Sequence, residues 1–143
     1  MDFFSAMDIS ASALTAERTR MNRISSNLAN VNSTRTAEGG PYRRRDAVFS
    51  ATALPGSFGA ALGKAADARS VEVSRITEDQ NPPRLQYEPT HPDADASGYV
   101  AYPNVNVVEE MADMISASRS YEANVTAAKA AMSMALKTLD LGR

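Results

Sequence analysis

The sequence predicts a mainly α-helical protein with a small β module, in which long N- and C-terminal helices pack as a coiled-coil-like pair around a β-rich, partly irregular insertion. Three observations support this fold class. Apolar residues recur at alternating spacings of three and four near both ends of the 143-residue chain. All seven prolines, and every glycine except Gly142, lie between these ends. Short segments of that middle region are rich in β-branched and aromatic residues. We therefore expect residues 1–35 and 107–143 to form a discontinuous helical core domain, and residues 36–106 a separate module.

The first helix is expected to run from about Phe3 or Phe4 to about Val31, a length of about 43 Å at about 1.5 Å per residue. Its apolar side chains share one narrow face, which is buried most readily against another helix. The run Gly39-Gly40-Pro41 makes continued helix unfavourable. The residues of this face that we expect at a subunit interface are Met7, Leu14, Met21, Ile24, Leu28 and Val31.

The middle region has the composition of turns and short strands. Residues 54–67 are rich in glycine and alanine and poor in large apolar groups, so we expect a mobile loop there. The candidate strands are 47–52, 71–76, 84–88 and 99–102.

The second helix is expected to begin after Pro103, with Asn104 or Asn106 as its N-cap, and to run to about Leu141, where Gly142 supplies a stop. Acidic residues lie in its first turns and basic residues near its end, as the helix dipole favours. The residues of this helix that we expect at a subunit interface are Met111, Met114, Tyr121, Val125, Met132 and Leu139.

Composition argues against several classes of function. A formal net charge of −2 gives no support for a nucleic-acid partner, and no stretch approaches the roughly 20 apolar residues of a membrane-spanning helix. There is no cysteine and no glycine-rich phosphate loop. The single histidine, His91, lies near Asp93 and Asp95, but these aspartates are better explained as turn caps. We expect no enzyme activity, no metal and no cofactor.

Two motifs, one in each predicted helix, resemble the paired signatures of the bacterial flagellar rod and hook proteins. Between them, residues 39–43 (GGPYR) and 91–95 (HPDAD) are similar to the proximal rod proteins of that family. The first motif comprises Ser26, Asn27, Leu28, Ala29, Asn30, Val31 and Asn32. The second includes Ser118, Arg119, Tyr121, Glu122, Ala123 and Asn124.

This resemblance implies a structural subunit of the proximal rod, the hollow drive shaft that carries torque across the periplasm. The implied partners are copies of the same chain, other rod proteins at the base of the rod near the MS ring, and the flagellar type III export apparatus. Export without a cleaved signal peptide is implied as well. On this reading the end helices stay poorly ordered during export and form the inner wall of the tube on docking.

Three questions stay open at the level of sequence. A soluble helical-hairpin adaptor, whose ends pair within one chain, is the alternative function. Asn27, Asn30, Asn32 and Asn124 either fix the register between subunits or are helix-end and surface residues. The run Arg43-Arg44-Arg45 is either a solvated charge cluster or a contact with an acidic neighbour or the cell wall.

Overall fold

A computed structural model describes residues 3–53 and 69–141 of the chain. Two long helices enclose four strands, which confirms the predicted fold class. The loop expected at residues 54–67 lies outside the described residues. The elements are α1 Phe3–Ala29, β1 Arg45–Ala53, β2 Arg69–Glu78, β3 Arg84–Tyr87, β4 Tyr99–Tyr102 and α2 Val107–Leu141.

Helix α1 ends two residues earlier than the prediction, at Ala29. The cause is local, because asparagine competes well for backbone groups at helix ends. The side-chain amide of Asn30 donates to the Ser26 carbonyl at 2.9 Å, and the Ser33 amide donates to the Asn30 carbonyl at 3.0 Å. The chain therefore leaves the helix through a closed turn.

Strands β1 and β2 form an antiparallel ladder with a bulge between Val48 and Phe49. Helix α1 packs on this ladder. The Ser12 hydroxyl accepts a hydrogen bond from the Val71 amide at 3.1 Å, and the Arg20 guanidinium lies 5.8 Å from the centre of the Phe49 ring. Helix α1 is thus held between the β1–β2 ladder on one side and α2 on another.

Strands β3 and β4 form a second antiparallel ladder. The rings of Tyr87 and Tyr99 meet edge to face, with centroids 5.3 Å apart. Gly98 precedes β4 with φ +82°, and a Cβ at this position would lie 2.9 Å from Tyr87 Cε2. Val100 of β4 is fully buried, and Val105, which follows this strand, is nearly so.

Helix α2 begins with Asn106 as its N-cap, since the Asn106 side-chain oxygen accepts from the Val108 amide at 3.1 Å. The helix has 35 residues, about 52 Å at about 1.5 Å per residue. Its first turn lies beside the last turn of α1, where Asn27 bonds to Glu110, so the paired helices run antiparallel.

The most deeply buried residues of the two helices are mostly small or polar, with Ile24 as the large apolar exception. On α2 the buried positions are Glu110, Ala117 and Ala131. On α1 they include Ser10 and Ala16. Small side chains let helix backbones approach closely, but they bury little apolar area per residue. The helix pair consequently leaves most of the large apolar side chains of α2 outside its contact.

Candidate assembly surfaces

The sequence placed six residues of α1 and the turn after it at a subunit interface. In the structure, these residues lie on the inner side of α1 or on its flanks. Ile24 is buried at 4% exposure. The other five, Met7, Leu14, Met21, Leu28 and Val31, are half-buried. Within a single chain, therefore, this stripe is already at least partly covered.

The corresponding residues of α2 divide into two groups. Met114, Tyr121 and Val125 are half-buried. Met111, Met132 and Leu139 are 56%, 53% and 70% exposed. The latter three remain available to another molecule.

These exposed residues share one seven-residue repeat, which stays on one face of a left-handed supercoiled helix, and we call it the outer face of α2. It follows spacings of three and four, parallel to the line that contains Glu110, Ala117 and Ala131. Large apolar side chains occupy both of its ends, and Glu122 and Lys129 lie near its middle. The outer face consists of Val108, Met111, Ile115, Ser118, Glu122, Val125, Lys129, Met132, Leu136 and Leu139.

A second feature, which we call the polar joint, ties the end of α1 to the start of α2 and to the chain entering β1. It consists of Asn27, Tyr42, Arg44, Glu110 and the backbone of Arg45. Asn27 is 1% exposed and uses its whole hydrogen-bonding capacity. Its Nδ2 donates to the Arg45 carbonyl and to Glu110 Oε2, both at 3.0 Å. Its Oδ1 accepts from the Tyr42 hydroxyl at 2.9 Å and from the Arg45 amide at 3.0 Å.

Glu110 is fully buried in the polar joint and is paired on both carboxylate oxygens. Arg44 Nε donates to its Oε1, opposite the bond from Asn27. Burial opposes the charge on Arg44, yet its pKa is raised above the ordinary value. The hydrogen bond and attraction of Glu110, with smaller contributions from Asp46 and Asp113, outweigh that burial. The carboxylate is therefore charge-compensated where water does not reach it.

Comparison with known proteins identifies the family. A family described as flagella basal body rod protein matches residues 7–35, and one described as flagellar basal body rod FlgEFG protein C-terminal matches residues 96–141. The chain is 45% identical over its whole length to the flagellar basal-body rod protein FlgC of Bacillus subtilis, and 48% identical to that of Escherichia coli O6:H1, which it also covers completely. The FlgC of Borreliella burgdorferi is 42% identical over 94% of this chain and 93% of its own length. The chain belongs to the FlgC family of flagellar basal-body rod proteins. The resemblance read from the two sequence motifs is thereby confirmed.

In this FlgC-family chain, the first motif is mostly structural within the subunit. Asn27 lies at the centre of the polar joint, and Asn30 closes the end of α1. Asn32 is exposed. Asn27 thus fixes the register of α1 against α2 and β1 within one chain. A role for Asn27 in fixing the register between subunits stays a prediction.

The second motif lies on α2 and is partly exposed. Arg119, Glu122 and Ala123 are exposed, and Ser118 and Tyr121 are half-buried. Asn124 donates to the Ser120 carbonyl of its own turn at 2.9 Å. Ser118 and Glu122 of this motif belong to the outer face.

The arginine run does not form one uniform solvated cluster. Arg43 is exposed, and its closest polar partner is Gln80 at 3.4 Å. Arg44 enters the polar joint, while Arg45 pairs with Glu78 at 2.7 Å. Two of the three arginines thus have acidic partners inside the subunit, which sequence alone left open.

The loop around His91 is a set of turns. Asp95 Oδ1 accepts from the Ser97 and Tyr99 amides at 2.8 and 2.9 Å, as expected of a turn cap. Asp93 instead accepts from the Thr34 hydroxyl at 2.8 Å, which links this loop to the segment after α1.

Across residues 3–53 and 69–141, no three histidine, aspartate or glutamate side chains converge as a metal site would require. Over the same ranges, no helix is long and apolar enough to cross a bilayer.

Sequence reasoning missed Glu110 and three large members of the outer face, Val108, Ile115 and Leu136. An alternating spacing of three and four can be drawn along either of two neighbouring lines of a helix. The predicted stripe mixed members of both. The available signal was that Val108, Met111 and Ile115 have the spacing of Met132, Leu136 and Leu139 in reverse order, three then four against four then three.

Proposed function

We propose that the chain is a structural subunit of the proximal part of the flagellar rod, and that it assembles through the outer face of α2. The observation that supports this assembly surface is that both ends of the outer face carry exposed apolar side chains. Val108 and Leu139 are 75% and 70% exposed although α1 and α2 are already packed together. Membership of the FlgC family supports the rod itself. A drive-shaft role requires neither a cofactor nor catalysis.

The energetic argument favours contacts with neighbouring subunits. A large apolar side chain gains about 1.5–3 kcal/mol on full burial, and the members of the outer face obtain only part of that gain in a single chain. Exposed apolar surface of this extent marks interaction sites in folded proteins. Neighbouring subunits, either copies of this chain or other rod proteins, would supply the missing contacts. The inner wall of the tube would then be formed by the helix pairs.

The polar joint suits a subunit that transmits torque. It fixes the β module to the helix pair through groups from α1, α2 and the segment before β1. Directional hydrogen bonds with every partner satisfied define one geometry more strongly than apolar contacts do. A force applied to the module would thus be passed to the helices without a flexible link.

Export through the flagellar type III apparatus, without a cleaved signal peptide, completes the proposal. The helix contact has few large buried side chains, so its far end depends on other subunits for stability. A subunit of this kind can remain partly unfolded during passage and become fully ordered on docking in the periplasm.

The helical-hairpin adaptor predicts one feature that is observed, the packing of the two terminal helices within one chain. It does not account for the exposed apolar ends of the outer face. Full-length similarity to FlgC proteins supports the rod subunit and not the adaptor.

The proposal is tested by Ile115→Asp, which places a charge on the exposed outer face, in a strain that lacks its own copy of this protein. Ser116→Asp is the matched control, because Ser116 is exposed on the same turn but lies off the outer face. We expect the Ile115 variant to be produced at normal levels and to give no swimming in soft agar and no rods in isolated basal bodies. The control should swim. Normal swimming of the Ile115 variant would contradict the proposed surface.

A further inference from the structure

We propose that the outer face of α2 pairs with the same face of a second copy of this chain, in antiparallel orientation, to form a reversible dimer. The proposal rests on the order of side chains along that face, which is nearly palindromic. It uses the same surface as the proposed rod contact, and it concerns the free subunit, before any rod is built.

Antiparallel pairing matches every large apolar residue at one end of the outer face with one at the other end of the second copy. Val108 meets the partner's Leu139, Met111 meets the partner's Leu136, and Ile115 meets the partner's Met132. A two-fold axis repeats each of these contacts. All six of these side chains are more than half exposed in the single chain. Their pairing therefore removes apolar surface that the subunit itself leaves in water.

The charged middle of the outer face selects the antiparallel arrangement. Glu122 and Lys129 are both exposed and lie two turns apart on the same line. With the apolar ends matched, Glu122 faces the partner's Val125 and lies about 6 Å along the axis, or about one turn, from the partner's Lys129. The two-fold axis repeats this ion pair. A parallel pair in register would instead place Glu122 against the partner's Glu122 and Lys129 against the partner's Lys129. Like charges facing each other across a helix pair oppose association.

The size of the surface predicts a weak dimer. From Val108 to Leu139 the outer face is about 48 Å long and roughly 10 Å wide, or on the order of 500 Å² per copy. A total of about 1,000 Å² lies at the low end for specific protein complexes. Such a dimer covers the apolar ends while remaining able to dissociate. If the proposed rod contact holds, the dimer competes with incorporation into the rod and keeps free subunits from associating at random.

The test is sedimentation velocity on the full chain over a range of concentrations, with charge exchanges at the centre. The variants are Glu122→Lys, Lys129→Glu and the double exchange, with Glu109→Lys as an exposed control off the outer face. We expect a monomer–dimer equilibrium that each single exchange weakens about tenfold, while the double exchange restores it to within about threefold. The control should leave it unchanged. A wild-type chain that stays monomeric into the millimolar range, or a double exchange no better than the single ones, would overturn the proposal.

Cysteine pairing gives an independent geometric readout, because the natural chain has no cysteine. The double variant Ile115→Cys/Met132→Cys should form a disulfide-linked dimer under mild oxidation, whereas Ile115→Cys alone should not. In the antiparallel pair, the two copies of position 115 are about 26 Å apart at about 1.5 Å per residue, too far for a disulfide. Crosslinking of the single variant would contradict the antiparallel geometry. These readouts use purified protein, so they can fail while the swimming test succeeds, and the reverse.

Discussion

The two ends of the helix pair are held in very different ways. At one end, where α1 finishes and α2 starts, the polar joint buries Glu110 and Asn27 with every hydrogen bond made. At the other end, the last turns of α2 carry Leu136, Leu139 and Leu141 at 58%, 70% and 89% exposure. Both ends of α2 carry exposed members of the outer face, such as Val108 and Leu139, but only the start of α2 is also fixed within the chain by a buried polar cluster.

The two ends also differ in how they select the groups that they contact. The polar joint fixes geometry through directional bonds, and its members depend on one another. The far end offers apolar contacts, which adapt to several partners of suitable shape. A subunit built this way folds to a defined local structure and still depends on its neighbours for full order.

The largest expected effect is at the centre of the polar joint. Glu110→Ala leaves Arg44 and Asn27 without their buried partner, so we expect a loss of about 3–5 kcal/mol in the free energy of unfolding. Glu109→Ala is the control, since Glu109 is exposed and should change stability by less than about 0.5 kcal/mol. Urea denaturation followed by circular dichroism measures both. Equal midpoints for the two variants would show that the joint does not hold this end.

Asn27→Ala should have the next largest effect. It removes the two bonds donated to Glu110 and the Arg45 carbonyl and the two accepted from Tyr42 and the Arg45 amide. We expect a loss of about 2–3 kcal/mol because buried groups are left unsatisfied. Asn22→Ala, at an exposed position of the same helix, should be neutral or slightly stabilising. A destabilisation of Asn27→Ala below that range would weaken the case for a fully satisfied joint.

A smaller effect is expected in the β3–β4 ladder, outside both ends of the helix pair. Gly98→Ala forces a side chain into a backbone conformation with φ +82° and against Tyr87. Gly39 has a similar φ of +87° but open space around it. Gly39→Ala therefore measures the free-energy cost of the backbone conformation alone. We expect about 1–3 kcal/mol for Gly98→Ala and less for Gly39→Ala. Equal losses in the free energy of unfolding for the two variants would mean that the Tyr87 side chain moves aside at no cost in stability.

The N-cap of α2 gives a smaller effect beside the joint. Asn106→Ala should cost about 1 kcal/mol through loss of the bond to the Val108 amide, whereas Asn104→Ala should cost little. The comparison distinguishes the two caps that the sequence allowed. A larger loss for the Asn104 variant would place the start of α2 elsewhere.

The smallest effect on the isolated chain is expected at the far end. Leu139→Ser removes an exposed side chain, so the free energy of unfolding should change by less than about 0.5 kcal/mol. Incorporation into rods should nevertheless fall, as measured by the amount of the chain in isolated basal bodies. Ser133→Ala is the control, because Ser133 is exposed but lies off the outer face. Strong destabilisation of the purified Leu139 variant would show that this end is already packed.

Much of the fold could be predicted from sequence because its signals are local. The spacing of apolar residues gave both helices, and the four candidate strands lie within or nearly within β1 to β4. The polar joint was harder to predict from sequence. Burial of Glu110 depends on Arg44, 66 residues away, and on a helix contact made of small residues. No local pattern distinguishes such an acid from its exposed neighbour Glu109.

The most direct test of the account is hydrogen exchange on the dilute, purified chain, comparing the start of α2 at residues 107–117 with its end at residues 132–141. The account predicts strong protection at the start, where the polar joint holds the helix, and fast exchange at the end, where α2 lacks partners. Uniform strong protection from Val107 to Leu141 would contradict it, since the helix would then be complete without neighbouring subunits.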